Sequence, residues 1–352
     1  MEITMGFFSN HTEAIFPLKK GLQYQFLPDS LKPGFEILGN GLLNFQRNIR
    51  ITSVKEKRDL ERIFDAVIFD NPAICYFNPN EFSISSFAGG YSISFDYIYD
   101  RKKASEIIKR MDDQAEYIIS QFIMDDMSDF EKCVSIHDYM TENVHYNFSA
   151  MSVDYVYDAF TAEGALIKKQ AVCIGISKAM VLILGKIHIP CTIVQGMSTI
   201  DGQEVAHGWN LVRLSGNFYH IDVTWDLQEV NHFSSRSHMY MNLDDESMLN
   251  NHSWEIEAYP TCNSNAENYY VKEKRYFRTF RSFELYCQRF LKAHLTYMDV
   301  RFEDTLEIPD DGGKTIAVII QKQAGLIGKA CRIEFLFNAC SFVFQAELHY
   351  ND

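Results

Sequence analysis

Long apolar runs are missing from this sequence. The longest strictly apolar stretch is Ala179–Leu184, far short of the ~20 residues that carry a helix across a bilayer, so no membrane-spanning helix is expected. Positive charge is scarce as well. Against 47 Asp and Glu stand 33 Lys and Arg, a formal charge of −14 with no polybasic block, which argues against a protein that grips phosphate backbones by displacing counterions. Residues Met1 to Lys20 carry their lysines at the far end and no continuous apolar segment, so they do not read as a secretory signal. Absent too are a C-x-x-C pair, an internal repeat, a low-complexity segment and a calcium loop. Ordinary zinc and EF-hand spacings are thereby excluded, and neither a metal nor a cofactor is expected. The expectation is a cytoplasmic, globular protein with no nucleic-acid and no membrane partner; oligomeric state is not legible.

What is present is apolar bulk. The 352 residues are 47% hydrophobic and 14% aromatic, enough for a large core divided over two or three domains of about 100–150 residues. Eight cysteines, at 75, 133, 173, 191, 262, 287, 331 and 340, are scattered along a chain with no export signal and read as reduced thiols.

Three textures follow one another along the chain. In residues 1–125, Tyr91 to Tyr99 alternates as a strand after the Gly89-Gly90 turn, and Ile107 to Phe122 has the spacing of an amphipathic helix. Asp125, Asp126, Ser128 and Asp129 then offer a polar break and an N-cap for a helix running toward His145. Residues 126–262 hold all three tryptophans and the densest mixture of polar and aromatic side chains. Residues 263–352 read as a small α+β module, with a helical stripe from Phe280 to Leu291 and two strands, 333–337 and 342–348, joined by Asn338-Ala339-Cys340.

One cysteine stands apart through its neighbours. The residues after Cys173 suit a buried helix that ends at Gly185, placing Cys173 at or near the helix N-terminus. Unpaired N–H groups and the positive end of the dipole there stabilise a thiolate. Gly175 leaves room for another backbone or a substrate to approach. The plainer reading, a small buried hydrophobe, stays open on this residue alone. Downstream, Cys191–Met197 reads as a strand, and Glu204–Leu214 followed by Phe218–Asp226 reads as a hairpin turning at Ser215-Gly216-Asn217. A two-residue turn at Ser215-Gly216 puts Trp209 opposite Asp222 with His207 on the same face; a three-residue turn puts them on opposite faces unless a bulge intervenes. A thiol at a helix start, an imidazole on a strand and a carboxylate after the next are the parts of a Cys-His-Asp triad.

The blocks Ala171-Val-Cys173-Ile-Gly175, Ala206-His207-Gly-Trp209-Asn210 and Tyr219-His-Ile-Asp222-Val-Thr224-Trp225-Asp226 resemble the signature blocks of the transglutaminase-like superfamily of thiol enzymes. Supporting blocks resemble its bacterial branch: Ile136-His-Asp-Tyr-Met, Val144-His-Tyr146, Tyr157 to Leu166, Tyr240 to Asp244, His252 and Tyr259-Pro260. The resemblance spans about residues 126–262 and implies an α+β, papain-like core in which the cysteine helix packs on an antiparallel sheet carrying His and Asp. It further implies Cys173 as nucleophile, His207 as general base and acid, and Asp222 as the group that orients the imidazole. Tyr157 and Gln170 are candidates for the second oxyanion donor beside the Cys173 N–H, each also readable as structural, and Trp209 is read as a wall of the site. Gly208 and Ile174 depart from the residues common at those places in the family without removing a catalytic group.

Other polar residues receive plainer readings. His220 is read as a satisfied structural histidine, Asp226 as the end of its strand, and His137, His145 and His252 as packing or hydrogen-bonding groups rather than ligands. Asp244-Asp245-Glu246 reads as a solvated face or helix start. The function expected is acyl transfer from peptide or protein amides through a Cys thioester, ending on water (protease or amidase) or on an amine (transglutaminase). The alternative is a non-catalytic peptide- or partner-binding protein that keeps the fold; adventitious metal on Cys173 and His207 is a third, inhibitory reading.

Overall fold

The structure is a computed structural model that describes residues 14–52, 54–151, 157–200, 202–227, 237–306, 308 and 313–350. It is an α+β fold. Three short helices, α1 (Leu22–Phe26), α2 (Lys32–Leu43) and α3 (Lys57–Asp70), surround a sheet of β1 (Asn48–Thr52), β2 (Phe77–Phe87) and β3 (Gly90–Tyr97) in the order β1-β3-β2. Gly90 begins β3 at φ 158°, and a side chain there would run into the Ile51 carbonyl. The amphipathic helix α4 (Arg101–Phe122) starts at its Asp100 cap and buries Ala104, Ile107, Met111, Ala115 and Ile118. Helix α5 (Asp129–Asn143) opens on a capping box: Ser128 accepts from Glu131 N–H while the Glu131 carboxylate accepts from Ser128 N–H.

At the centre lies an antiparallel sheet of β6 (Cys191–Ile200), β7 (Gln203–Leu214), β8 (Asn217–Ile221), β9 (Met241–Leu243) and β10 (His252–Trp254), ordered β10-β6-β7-β8-β9. Helix α6 (Cys173–Lys186) packs against β6 and β7. A two-stranded parallel ladder, β4 (His145–Tyr146) with β5 (Gln170–Ala171), leads into it. After residue 263 a further sheet, β11 (Tyr276–Phe277), β12 (Tyr297–Phe302), β13 (Cys331–Asn338) and β14 (Val343–Tyr350), in the order β11-β12-β14-β13, carries helices Phe280–Lys292 and Gly313–Leu326. Most buried side chains from Leu27 to Tyr270 share one apolar cluster, joined by Val343, those from Phe277 to Leu348 form another around Phe283, Phe302 and Phe344, and Ala150, Ala159 and Val172 form a small third. Among the described residues no helix is long and apolar enough to cross a membrane.

The β7–β8 hairpin has the two-residue turn. Ser215 (φ 48°) and Gly216 (φ 84°) both take positive φ, as a type I′ turn requires. Asn210 faces Ile221 and Leu214 faces Asn217, the phase that a two-residue turn sets, although the ladder ends at the Asn210–Ile221 pair. The strand expected over Phe218–Asp226 stops early, however. It ends at Ile221, and Val223–Asp226 form a helical turn, α7, because the Asp222 side chain accepts from Trp225 N–H and caps it. Asp226 is therefore no strand end; it is fully buried and accepts from Ser237 Oγ at 2.6 Å and Tyr240 N–H at 3.0 Å. Helix α6 also passes Gly185 and runs to Lys186, since nothing at Gly185 requires left-handed backbone.

At Gly175 another stretch of backbone lies close against α6. A Cβ there would lie 2.3 Å from Ala159 O and 3.0 Å from Thr161 O. The neighbouring Val172 N–H donates to that same Ala159 carbonyl at 2.9 Å, which ties segment 157–161 to the start of the cysteine helix. Gly175→Ala should therefore destabilise the protein by about 1–3 kcal/mol, overcoming alanine's better helix propensity. A urea midpoint at or above that of the wild type would mean the segment yields without cost.

Candidate active site

Cys173 is the first residue of α6, after Val172 in extended conformation, and its side chain is half-buried. Hydrogen bonds lock the helix to the sheet. Asn210 Nδ2 on β7 donates to Ser177 O (3.0 Å) and Thr192 O (3.1 Å), and Ser177 Oγ donates back to Gly208 O (3.2 Å). These bonds flank His207, so they set the helix start relative to the imidazole. His207 lies on β7, buried, with Nε2 2.6 Å from Asp222 Oδ2. That contact leaves Nδ1 free of the carboxylate, and the Cys173 thiol lies near enough to the imidazole to help raise its pKa. The structure thus brings together the three residues that the sequence placed on a helix start and two successive strands.

Asp222 is more heavily engaged than a strand residue would be. Its Oδ1 accepts from Trp225 N–H (3.2 Å), and Oδ2 takes a second imidazole, His252 Nε2, at 3.1 Å. Burial by itself would lower the His207 pKa, but the Asp222 charge and hydrogen bond, helped by Cys173, reverse this and raise it to about 10. Burial likewise opposes ionisation of Asp222, yet the His207 charge and the bonds from both imidazoles hold its carboxyl well below the usual range. His252 goes the other way: burial lowers its pKa against the pull of Asp222. One carboxylate therefore faces one imidazolium and one neutral imidazole. The other thiols differ from Cys173 in surroundings. Burial pushes the pKa of Cys75, Cys133, Cys191, Cys262 and Cys287 upward, away from thiolate formation. All eight cysteines are free; Cys331 is half-buried and Cys340 exposed, so the surplus thiols are not uniformly interior.

Aromatic side chains close the site. Trp209, fully buried, lies 5.9 Å from the His207 ring at 22°, and its indole N–H donates to His220 Nδ1 at 2.9 Å. The sheet admits that ring because residue 196 is glycine: a Cβ there would sit 2.8 Å from the Trp209 ring and 2.1 Å from Ser253 O. His220 places Nε2 2.9 Å from Asp245 Oδ1. With an indole donor on one nitrogen and a carboxylate on the other, His220 is a satisfied, neutral structural histidine. Asp245 is correspondingly not a solvated residue; its second oxygen accepts from Cys262 N–H at 2.9 Å, and the helix it begins is capped by Asp244.

Two neighbours of the site went unread in the sequence. Tyr146 on β4 has its hydroxyl pKa raised by burial and by the charges of Cys173 and Asp222, and Trp225 stands 4.7 Å from the His252 ring and 6.3 Å from His207. Both fall in blocks that resemble the superfamily, which was the signal available. Of the two oxyanion candidates, Gln170 is exposed on β5, and Tyr157 is half-buried at the start of turn 157–160. It is the Ala159 carbonyl of that turn that meets the cysteine helix.

Residues 117–223 match the family profile of the transglutaminase-like superfamily. No curated protein matches. Solved structures with similarity include one described as a TGase, 19% identical over 42% of this chain and 44% of that one, with a TM-score of 0.31. Another is a provisionally named cysteine protease from Cytophaga hutchinsonii, 13% identical over 41% of this chain and 61% of that one, TM-score 0.27. A third is a provisionally named protease from Parabacteroides distasonis, 13% identical over 41% of this chain and 36% of that one, TM-score 0.25. The chain spans less than two thirds of the length of each of these structures.

Proposed function

Starting from a transglutaminase-like domain over residues 117–223, we propose that this chain is a thiol enzyme that transfers acyl groups from peptide or protein amides, with Cys173 as nucleophile, His207 as general base and acid, and Asp222 as its orienting carboxylate. The observation that carries the reading is a helix-start thiol beside a buried imidazole whose Nε2 lies 2.6 Å from a buried carboxylate. In the first half-reaction the Cys173 sulfur adds to the amide carbonyl. As the C–N bond breaks, the His207 imidazolium gives its proton to the departing amine, leaving a thioester. In the second half-reaction water or an amine adds to the thioester carbonyl, His207 takes its proton, and the thiol is released. Asp222 holds the ring with Nδ1 toward sulfur and balances the imidazolium charge in both halves. Trp209 and Trp225 keep water from the imidazole, which strengthens these electrostatic effects.

A binding protein that merely keeps the fold has no use for an accessible thiol. Cys173 is half-buried rather than sealed off, which favours the enzyme. A peptidyl electrophile that alkylates thiols should label the wild-type protein at Cys173, lose all labelling in Cys173→Ala, and label His207→Ala more than tenfold more slowly. Equal labelling rates in wild type and His207→Ala would overturn the reading. Supplying a glutamine-containing peptide with and without a primary amine then separates the two outcomes, an acid product for hydrolysis and a new amide for cross-linking.

A further inference from the structure

A second cluster of histidines and carboxylates lies outside the candidate active site. His137 on α5, Asp138 beside it and His238 each offer a ligand atom within 4.8 Å of the others. Asp138 Oδ1 is 2.8 Å from His238 Nε2 and 3.5 Å from His137 Nδ1, so the two ring nitrogens face one carboxylate oxygen. Both rings carry a carboxylate behind them. His137 Nε2 is 3.1 Å from Asp226 Oδ2, and His238 Nδ1 is 3.8 Å from Asp299 Oδ2. Each of those carboxylates is itself fixed: Asp226 by Ser237 Oγ and Tyr240 N–H, and Asp299 by the Tyr270 hydroxyl at 2.9 Å. His238 is held flat against Tyr269, ring centres 3.7 Å apart at 6°.

We infer that His137 Nδ1, Asp138 and His238 Nε2 form a binding site for a first-row transition dication of the Zn2+ or Co2+ class. Two imidazoles and one carboxylate are the nitrogen and oxygen donor set such ions prefer over Mg2+ or Ca2+. Ligand atoms each ~2.0–2.2 Å from one ion lie about 3–4 Å apart, close to the spacings found here. The second feature pointing to a metal is the outer layer. Metal-bound histidines almost always present their other nitrogen to a carboxylate, which fixes the ring and raises its basicity; Asp226 and Asp299 stand in those places. The His238 nitrogen facing Asp299 is buried and has no hydrogen-bond partner, so the arrangement is not already complete as a hydrogen-bonded network.

Access is provided by a cavity of about 620 Å³ between the central sheet region and the C-terminal module, lined by Asp138, His238, Tyr269, Arg275 and Asp299 among others. The fourth coordination position would open into it, available to water or an anionic group of a ligand. Because the donors and their supports come from α5, from the segment after Asp226 and from β12, a bound ion would fasten the C-terminal module to the central sheet. Among the described residues the other such clusters are spoken for or lie largely at the surface. His207, Asp222 and His252 belong to the active site, both His220 nitrogens are engaged, and Glu334, Glu347 and His349 lie at the surface.

The test uses the full-length Cys173→Ala protein, so that neither its outcome nor its interpretation depends on the role of the thiol. After chelator treatment the protein is titrated with Co2+ and then Zn2+, with metal content and visible absorption as readouts. One equivalent of Co2+ should bind, with ligand-field bands and no thiolate charge-transfer band, and Zn2+ should displace it. In that background His238→Gln and Asp138→Asn should each weaken binding at least tenfold, while His252→Gln leaves it unchanged. Asp299→Asn keeps every ligand and an oxygen for the Tyr270 hydroxyl but removes the negative charge facing His238 Nδ1; it should weaken binding about tenfold, and it answers the question should the ligand variants fail to fold by far-ultraviolet circular dichroism. No saturable binding, a thiolate band, or loss on His252→Gln with retention in Asp299→Asn would each overturn the inference.

Discussion

Replacing Cys173 with alanine should lower amide turnover by on the order of 10⁴-fold or more, since the remaining groups can polarise a carbonyl but cannot form the thioester. Stability should change by less than about 1 kcal/mol, because the side chain is half-buried at a helix start rather than packed in the core. Cys173→Ser should be nearly as inactive, as the hydroxyl holds its proton far more tightly than the thiol. Steady-state rates on a released peptide substrate, compared with thermal unfolding of the same preparations, check both halves. A Cys173→Ala protein that keeps a tenth of wild-type turnover would show that the thiol is a structural residue.

Asp222→Asn should impair both catalysis and stability, and the stability loss should depend on pH in a specific way. For catalysis, an amide beside His207 no longer balances an imidazolium, and a fall of about 10⁴-fold is the scale seen when a triad carboxylate is neutralised. For stability, the folded-state pKa of His207 is raised to about 10 from an unfolded value of ~6.5. Its contribution is therefore complete below pH ~6.5 and is lost as pH climbs toward 10. The Asp222 carboxyl is held below its unfolded value of ~3.9, so its contribution is present above that pH and is lost on acidification. The two windows overlap between about pH 4 and 6.5, where the variant should be weaker by a few kcal/mol. Above that range the difference should shrink steadily toward pH 10, and below it as acid protonates Asp222. Melting curves of both proteins across this range decide the matter; a difference independent of pH would mean that His207 and Asp222 do not form a charged pair.

Much of the candidate site could be read from local sequence. The helix after Cys173 announces itself by an apolar run, and the β7–β8 hairpin by a Ser-Gly turn between alternating segments. The spacing of that turn places His207, Trp209 and Asp222 on one face. Past Ile221 the reading failed for a definite reason. Val223 and Trp225 alternate like strand residues, yet Asp222 caps a helical turn there, and the partners that reward it, Tyr240, Ser237 and His252, lie elsewhere in the chain. His252 meets Asp222 across 30 positions of sequence, and His238 meets Asp138 across 100. No periodicity or spacing encodes such convergences.

The sequence by itself therefore determined the α+β elements, the helix-start cysteine and the hairpin that carries His207 and Asp222, because these depend on residue period, capping and turn chemistry within a few residues. Only the tertiary structure decided that Asp222 serves two histidines, that Trp209 is held by His220, and that His137, Asp138 and His238 gather beside a cavity. Those arrangements follow from how helices and strands distant in sequence pack, and from the need of every buried polar group for a partner, which is met by whichever segment the fold brings near.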